Sequence, residues 1–131
     1  MPKNNTKRIL VVNDSPVVLA YLADAFADEF EVVTADSGED AVEFLESIEK
    51  GASCSNVFDL IITDLNMPGM DGFGLADYVR GMNKTQKFTP VIMLTSEKIT
   101  KEEARSRGCA AYISKANKQR VLSLSRILLS R

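Results

Sequence analysis

Five short apolar runs rich in β-branched residues punctuate the chain: Ile9–Val12, Val32–Ala35, Phe58–Thr63, Val91–Leu94 and Ala111–Ser114. Each reads as a strand. Three of them are continuous rather than alternating, the pattern of a parallel strand covered by helices on both faces. The segments between them have helical periodicity. Leu19, Leu22 and Phe26 share a face, as do Ala41, Leu45 and Ile48, then Leu75, Val79 and Met82, and last Val121, Leu124 and Leu128. Ser37 with Asp40 three residues on resembles a capping box that starts the second helix, and Pro16 stands where a first-turn proline is tolerated. The fourth connection, Glu97 to Arg107, has only Ile99 and Ala104 as apolar residues and predicts a short, loosely packed helix. Lys50–Asn56 is a small-residue stretch that reads as a surface loop.

Strict alternation of strand and helix predicts an α/β fold: a doubly wound, five-stranded parallel sheet with right-handed crossovers and helices on both faces. Five strands in 131 residues fit the flavodoxin-like order 2-1-3-4-5, with residues 1–131 forming a single domain. The topological switch point then falls between the first and third strands, and a ligand site is expected where their carboxyl ends meet.

Composition narrows the chemistry. The chain is 45% hydrophobic and 26% charged, with 16 Lys and Arg against 18 Asp and Glu, so it fits a folded globular domain and not a disordered chain. Its net charge of −2 does not suggest nucleic acid as the main partner. There is no histidine, which excludes histidine zinc sites, serine–histidine and cysteine–histidine nucleophiles, and phosphohistidine. Cys54 and Cys109 form no CxxC pair and read as reduced thiols of a cytoplasmic protein. The apolar runs near the polar N-terminus are too short for a signal core or a membrane span.

Chemistry-bearing residues follow directly on the apolar runs: Asn13 and Asp14 after the first, Asp64 after the third, Thr95 and Ser96 after the fourth, Lys115 after the fifth. Singly, an aspartate after a strand is a cap, a threonine a half-buried strand residue and a lysine a solvated one. Together, four strands of one sheet deliver them to the ligand-binding edge. Asp14 and Asp64 would repel each other unless a cation lay between them, and Mg²⁺, which takes oxygen ligands from one or two carboxylates, fits that need. Asp64 can then act as a nucleophile toward phosphorus, with the metal, Lys115 and the Thr95 hydroxyl compensating charge on the phosphoryl oxygens. Gly69, Gly72 and Gly74 do not match a dinucleotide-binding spacing and read as a turn into the third helix.

The run Asp64-Leu65-Asn66-Met67-Pro68-Gly69-Met70-Asp71-Gly72, with Asn13 and Asp14 before it and Leu94, Thr95, Ser96 and Tyr112 to Lys115 after it, resembles the receiver domain of two-component response regulators, in particular stand-alone chemotaxis-type members. The resemblance covers the chain from about Arg8 to its end. It implies that Asp64 accepts a phosphoryl group from a sensor histidine kinase or a phosphotransfer protein. It further implies that Asp14, Asp64 and the backbone carbonyl of Asn66 hold Mg²⁺, that Thr95 contacts the phosphoryl group and that Lys115 pairs with it. Thr95 and Tyr112 would form the switch, reported to a downstream protein through the fourth helix, fifth strand and fifth helix. Asn66 and Glu97 occupy the positions that tune hydrolysis, and their identities imply a short-lived phosphoryl state. The chain would be a phosphoacceptor with at most self-catalysed phosphoryl transfer and loss, not a conventional enzyme.

Two residues depart from the family pattern. Asn13 replaces a carboxylate that supports the metal largely through water, so Asn13 would assist the metal only weakly and through water, which implies weaker Mg²⁺ binding. Ala116 replaces the proline after the lysine, where a cis bond would cost about 2.5–4 kcal/mol, so either a trans Lys115–Ala116 bond with a shifted loop or a strained cis bond is expected. Both departures motivate an alternative, a degenerate receiver acting as a phosphorylation-independent adaptor. A Mg²⁺-dependent phosphatase with an aspartate nucleophile is a further alternative, but it needs an Asp-x-Asp pair where this chain has Asn13, Asp14 and Ser15. Sixteen residues follow Lys115, enough for one helix and not for a DNA-binding effector. The apolar stripe of that helix is wide enough for a homodimer face.

Overall fold

The computed structural model describes residues 7–51, 57–81, 89–95, 101–106, 109, 111–114 and 118–129. Each apolar run forms a strand: β1 (Arg8–Val12), β2 (Glu31–Ala35), β3 (Leu60–Asp64), β4 (Val91–Thr95) and β5 (Ala111–Ser114). All neighbours pair in parallel, in the order β2-β1-β3-β4-β5, as the alternation predicts. β3 and β4 are buried at every position, whereas β2, at an edge, is buried only at Ala35.

The helices are α1 (Pro16–Phe26), α2 (Gly38–Gly51), α3 (Gly72–Gly81), α4 (Lys101–Ser106) and α5 (Lys118–Leu129). Alternate strand residues divide the core in two. Leu10, Val12, Ile61, Val91 and Met93 pack with Ala41, Leu45 and Ile48 of α2, Leu75 and Val79 of α3, and Ala104 of α4. Ile9, Val11, Leu60, Ile62 and Ile92 pack with Leu22 and Phe26 of α1 and Val121 and Leu129 of α5 on the opposite face. Burying such side chains contributes about 1.5–3 kcal/mol each, which makes these two layers the main source of stability.

Several boundaries differ from expectation. The third strand begins at Leu60 rather than Phe58. The Asp59 carboxylate accepts the Arg8 backbone N–H at 2.8 Å, and the Arg8 guanidinium lies 4.6 Å from the centre of the Phe58 ring. These side chains thus take over at the start of the ladder. The strand extends through Asp64, which pairs with Leu94. Helix α2 runs through Lys50 and Gly51, so the surface loop predicted from Lys50 can begin only after Gly51. Among the described residues helix α4 spans Lys101–Ser106 with Ala104 buried, while Ile99 lies outside the described residues. In α5 the fully buried stripe is Val121, Ser125 and Leu129, with Leu124 and Leu128 only partly covered. Ser125 is tolerated there because its hydroxyl donates to the Val121 carbonyl at 2.7 Å. Met82, on the predicted face of α3, lies outside the described residues.

Helix starts follow local chemistry. Pro16 is at the first position of α1, and the Ser15 hydroxyl caps that helix by accepting the Val18 N–H at 3.3 Å. Ser37 caps α2 by accepting the Asp40 N–H at 3.0 Å, and Asp71 caps α3 by accepting the Gly74 N–H at 2.8 Å. These caps fix where each loop at the carboxyl edge of the sheet turns back into a helix. No helix among the described residues is long and apolar enough to cross a membrane.

Candidate functional site

Buried polar side chains mark one end of the sheet. Among the described residues they are Asn13, Thr63, Asp64, Thr95 and Ser125, and all but Ser125 lie at the carboxyl ends of the adjacent strands β1, β3 and β4. A buried carboxylate is costly to hold, so a fully buried aspartate at the end of the central strand is a functional signal. Asp64 is that residue, at 0% exposure.

Neighbouring strands set its surroundings. Val12 pairs with Thr63, so Asn13 and Asp14 leave β1 beside Asp64. Asp64 pairs with Leu94, and Thr95 follows as the last residue of β4, at 1% exposure. The Leu65 N–H donates to the Leu94 carbonyl at 2.8 Å and the Asn13 N–H to the Ala35 carbonyl at 3.1 Å, which extends the ladder to the rim of the site. Asp14 is exposed and Asn66 is exposed, with the Asn66 N–H pointing to Asp64 Oδ1 at 3.4 Å. The Thr63 hydroxyl donates to the Asp64 carbonyl at 3.0 Å, satisfying a polar group that is itself buried.

Of the predicted site residues, the fold therefore brings Asn13, Asp14, Asp64, Asn66 and Thr95 to one edge. Ser96, Glu97, Lys115 and Ala116 lie outside the described residues, as does the expectation about the Lys115–Ala116 bond. Tyr112 pairs with Met93 on β5, farther back along the sheet than Thr95, and is half-buried. It borders a cavity of about 230 Å³ between α4, β5 and α5, together with Ala104, Arg105, Cys109, Arg120 and Leu124.

The oxygens at this edge are of the type a hard divalent cation takes. Asp14 and Asp64 offer carboxylate oxygens and Asn66 a main-chain carbonyl, an all-oxygen set that suits Mg²⁺ with retained waters. No group of three or more Asp, Glu, Cys or His among the described residues is placed to bind a metal. Two carboxylates remain because Asn13 occupies the neighbouring position.

The loop after β3 is held by residues that local sequence patterns do not reveal. Glu39 Oε2, in the first turn of α2, accepts the Met70 N–H at 3.0 Å. Gly69 has a φ of +76°, a left-handed conformation that favours glycine. Gly38 lets Met70 approach α2, since a Cβ there would lie 2.9 Å from the Met70 carbonyl oxygen. The Gly72 N–H donates to the Leu65 carbonyl at 2.9 Å and closes the loop. The Ser37–Asp40 spacing marks the start of α2, but a contact across 31 residues leaves no periodic trace. Nearby, a hydrogen bond to Asp36, the Asp36 charge and the weaker charges of Glu43 and Glu39 hold the Asp40 carboxyl above the usual aspartate range.

Comparison with known proteins agrees with this geometry. The response regulator receiver domain profile matches residues 9–125. The sensor histidine kinase RcsC of Salmonella typhimurium is 32% identical over 103 residues, 78% of this chain and 10% of that protein. The chain thus spans about a tenth of the length of the sensor kinases it matches. Among solved structures, the chemotaxis response regulator CheY4 of Vibrio cholerae superposes with a TM-score of 0.77 at 31% identity, covering 93% of this chain and 98% of CheY4. Response regulator TrrA of Thermotoga maritima, solved in complex with Mg²⁺ and BeF, gives 0.76 at 30% identity, covering 94% and 99%. The chain belongs to the response regulator receiver domain family of two-component signal transduction.

Proposed function

We propose that this chain receives a phosphoryl group on Asp64 and uses it to switch a protein-binding face. The observation that carries the reading is the buried Asp64 carboxylate at the carboxyl end of the central strand, flanked by Asp14 and Thr95. A carboxylate oxygen of Asp64 attacks the phosphorus of a phosphohistidine on a sensor kinase or phosphotransfer protein. The O–P bond forms, the P–N bond breaks, and the released imidazole takes a proton from solvent.

Asp14, Asp64 and the Asn66 carbonyl would hold Mg²⁺, which when bound offsets negative charge at the phosphoryl oxygens. Asp14 and Asn66 are open to solvent, so the proposed metal position is approached from their side, and Asp64, buried in this structure, must be uncovered for phosphoryl transfer. Lys115 is proposed to pair with the phosphoryl group, and the Thr95 hydroxyl to donate to it. In the proposed switch Thr95 is drawn toward the phosphoryl group and Tyr112, which borders the cavity on the α4, β5 and α5 side, would move inward after it. The same face would contact the downstream protein. Asn66 and Glu97 are proposed to set how quickly water removes the phosphoryl group, and the site of action would be the cytoplasm.

The test is intact-mass analysis after incubation with acetyl phosphate and Mg²⁺. One phosphoryl adduct is expected, absent in Asp64→Ala and in EDTA. A wild-type protein that binds neither Mg²⁺ nor phosphoryl would instead support the adaptor reading that Asn13 and Ala116 motivate. An adduct that persists in Asp64→Ala would place the acceptor elsewhere.

A further inference from the structure

Asn13 has an unusual accounting of hydrogen bonds. It is 1% exposed, its main-chain N–H donates to the Ala35 carbonyl, and its Oδ1 accepts the Ser15 N–H at 2.9 Å. Its Nδ2 is buried and has no hydrogen-bond partner among the described residues. Exchanging the amide oxygen and nitrogen does not resolve this, because Nδ2 would then face the Ser15 N–H, donor against donor. The unpaired group is therefore a donor, and buried donors are seldom left unmatched.

Its place in the fold says what would match it. Asn13 follows the Val12–Thr63 rung and so lies beside Asp64, at the edge that also carries Asp14. An aspartate at position 13 would add an acceptor and a third negative charge. Asparagine is neutral instead: its oxygen already accepts the Ser15 N–H, and the group left without a partner among the described residues is a donor. A donor at a cation site has little to offer the cation. It has much to offer an anion bound beside it, since a hydrogen bond to a charged acceptor is about twice as strong as a neutral one.

We propose that Asn13 Nδ2 donates a hydrogen bond to an oxygen of the phosphoryl group carried by Asp64, so that residue 13 of this chain recognises the anion rather than supporting the metal. This rests on the phosphoacceptor reading and deepens it. Two consequences separate it from a loss of function at this position. Mg²⁺ alone is held weakly, because only two carboxylates face it. The bound phosphoryl group gains a donor.

The experiment uses fluoroberyllate as a phosphoryl mimic at saturating Mg²⁺, with calorimetry on the wild type, Asn13→Asp and Asn13→Ala. Asn13→Asp is expected to bind Mg²⁺ alone more tightly, by roughly tenfold, and fluoroberyllate more weakly by a similar factor. Asn13→Ala removes the donor without adding charge and should weaken fluoroberyllate by roughly tenfold. In the wild type the Asn13 side-chain amide protons should shift in ¹H–¹⁵N spectra when Mg²⁺ and fluoroberyllate are both present. Should Asn13→Ala fail to fold, that amide shift decides the matter alone. Unchanged fluoroberyllate affinity in a folded Asn13→Ala, or an amide resonance indifferent to the mimic, overturns the proposal while leaving the phosphoacceptor reading intact. A wild type that does not bind the mimic at all overturns both.

Discussion

Replacing Gly72 with alanine would drive a methyl group into the main chain that ends β3. A Cβ on Gly72 would lie 2.6 Å from the Asp64 carbonyl oxygen, 2.6 Å from Met93 Sδ and 3.0 Å from Leu65 Cα. The methionine can turn aside, but the Asp64 carbonyl belongs to a strand buried along its whole length, and Leu65, itself buried, follows that strand directly. The start of α3 must therefore move away from the site, straining the 2.9 Å bond from the Gly72 N–H to Leu65. Overpacking of this kind costs about 1–3 kcal/mol, offset by at most about 1 kcal/mol from removing a helical glycine. A net loss of about 0–3 kcal/mol is expected, centred near 1–2 because three atoms lie within about 3 Å, and a loss of that central size lowers Tm by roughly 3–10 °C for a domain of this length. Two other glycines of the same helix are internal controls. A Cβ on Gly74 would meet only the Met70 side chain at 3.1 Å and Asp71 Oδ1 at 3.5 Å, and one on Gly81 would meet nothing within 4 Å. Gly74→Ala should be close to neutral, and Gly81→Ala neutral or stabilising by up to about 1 kcal/mol. Urea unfolding followed by far-ultraviolet circular dichroism suits a chain without tryptophan. Equal stability of Gly72→Ala and Gly81→Ala would refute the steric account of the β3–α3 junction.

Glu39→Ala should leave Tm nearly unchanged, speed hydrogen exchange at the Met70 amide and slow phosphoryl uptake from acetyl phosphate; unchanged exchange would show that the Glu39–Met70 bond does not hold the loop. Phe26→Ala removes a 1% exposed ring in edge contact with Phe30 and should cost about 3–5 kcal/mol in urea unfolding, whereas a loss under about 1 kcal/mol would contradict the packing of α1. The Asp40 carboxyl should titrate above the ordinary 3.8 in ¹³C spectra, and return toward it in Asp36→Asn. Because its folded pKa is raised, the stability linked to its proton is fully present below the ordinary value and lost as pH rises through the raised one. Asp36→Asn should then be the more stable protein at neutral pH, with the difference closing in acid; no pH dependence of the difference would count against the pairing.

The order of the strands and the position of Asp64 were legible because both follow from local signals. Continuous apolar runs such as Ile9–Val12 and Val91–Leu94 can only be covered on both sides, and the residue that ends such a run is carried to the sheet edge. The Asp64 to Gly72 run then made the resemblance specific. What was hidden is non-local. Whether Phe58 enters the strand depends on Arg8 and Asp59, 51 residues apart. The reach of Glu39 to Met70 depends on how α2 lies against the loop. The buried stripe of α5 admits Ser125 because a hydroxyl can be satisfied within its own helix, which a count of apolar residues misses.

Phosphorylation at Asp64 is the central claim, and locating the phosphoryl group tests it most directly. After brief exposure to acetyl phosphate and Mg²⁺, borohydride reduces an aspartyl phosphate to homoserine, and peptide mass spectrometry reads which position changed. The expected result is homoserine at position 64 alone, absent when EDTA replaces Mg²⁺. Homoserine at Asp14 or any other aspartate, with Asp64 unmodified, would contradict the account.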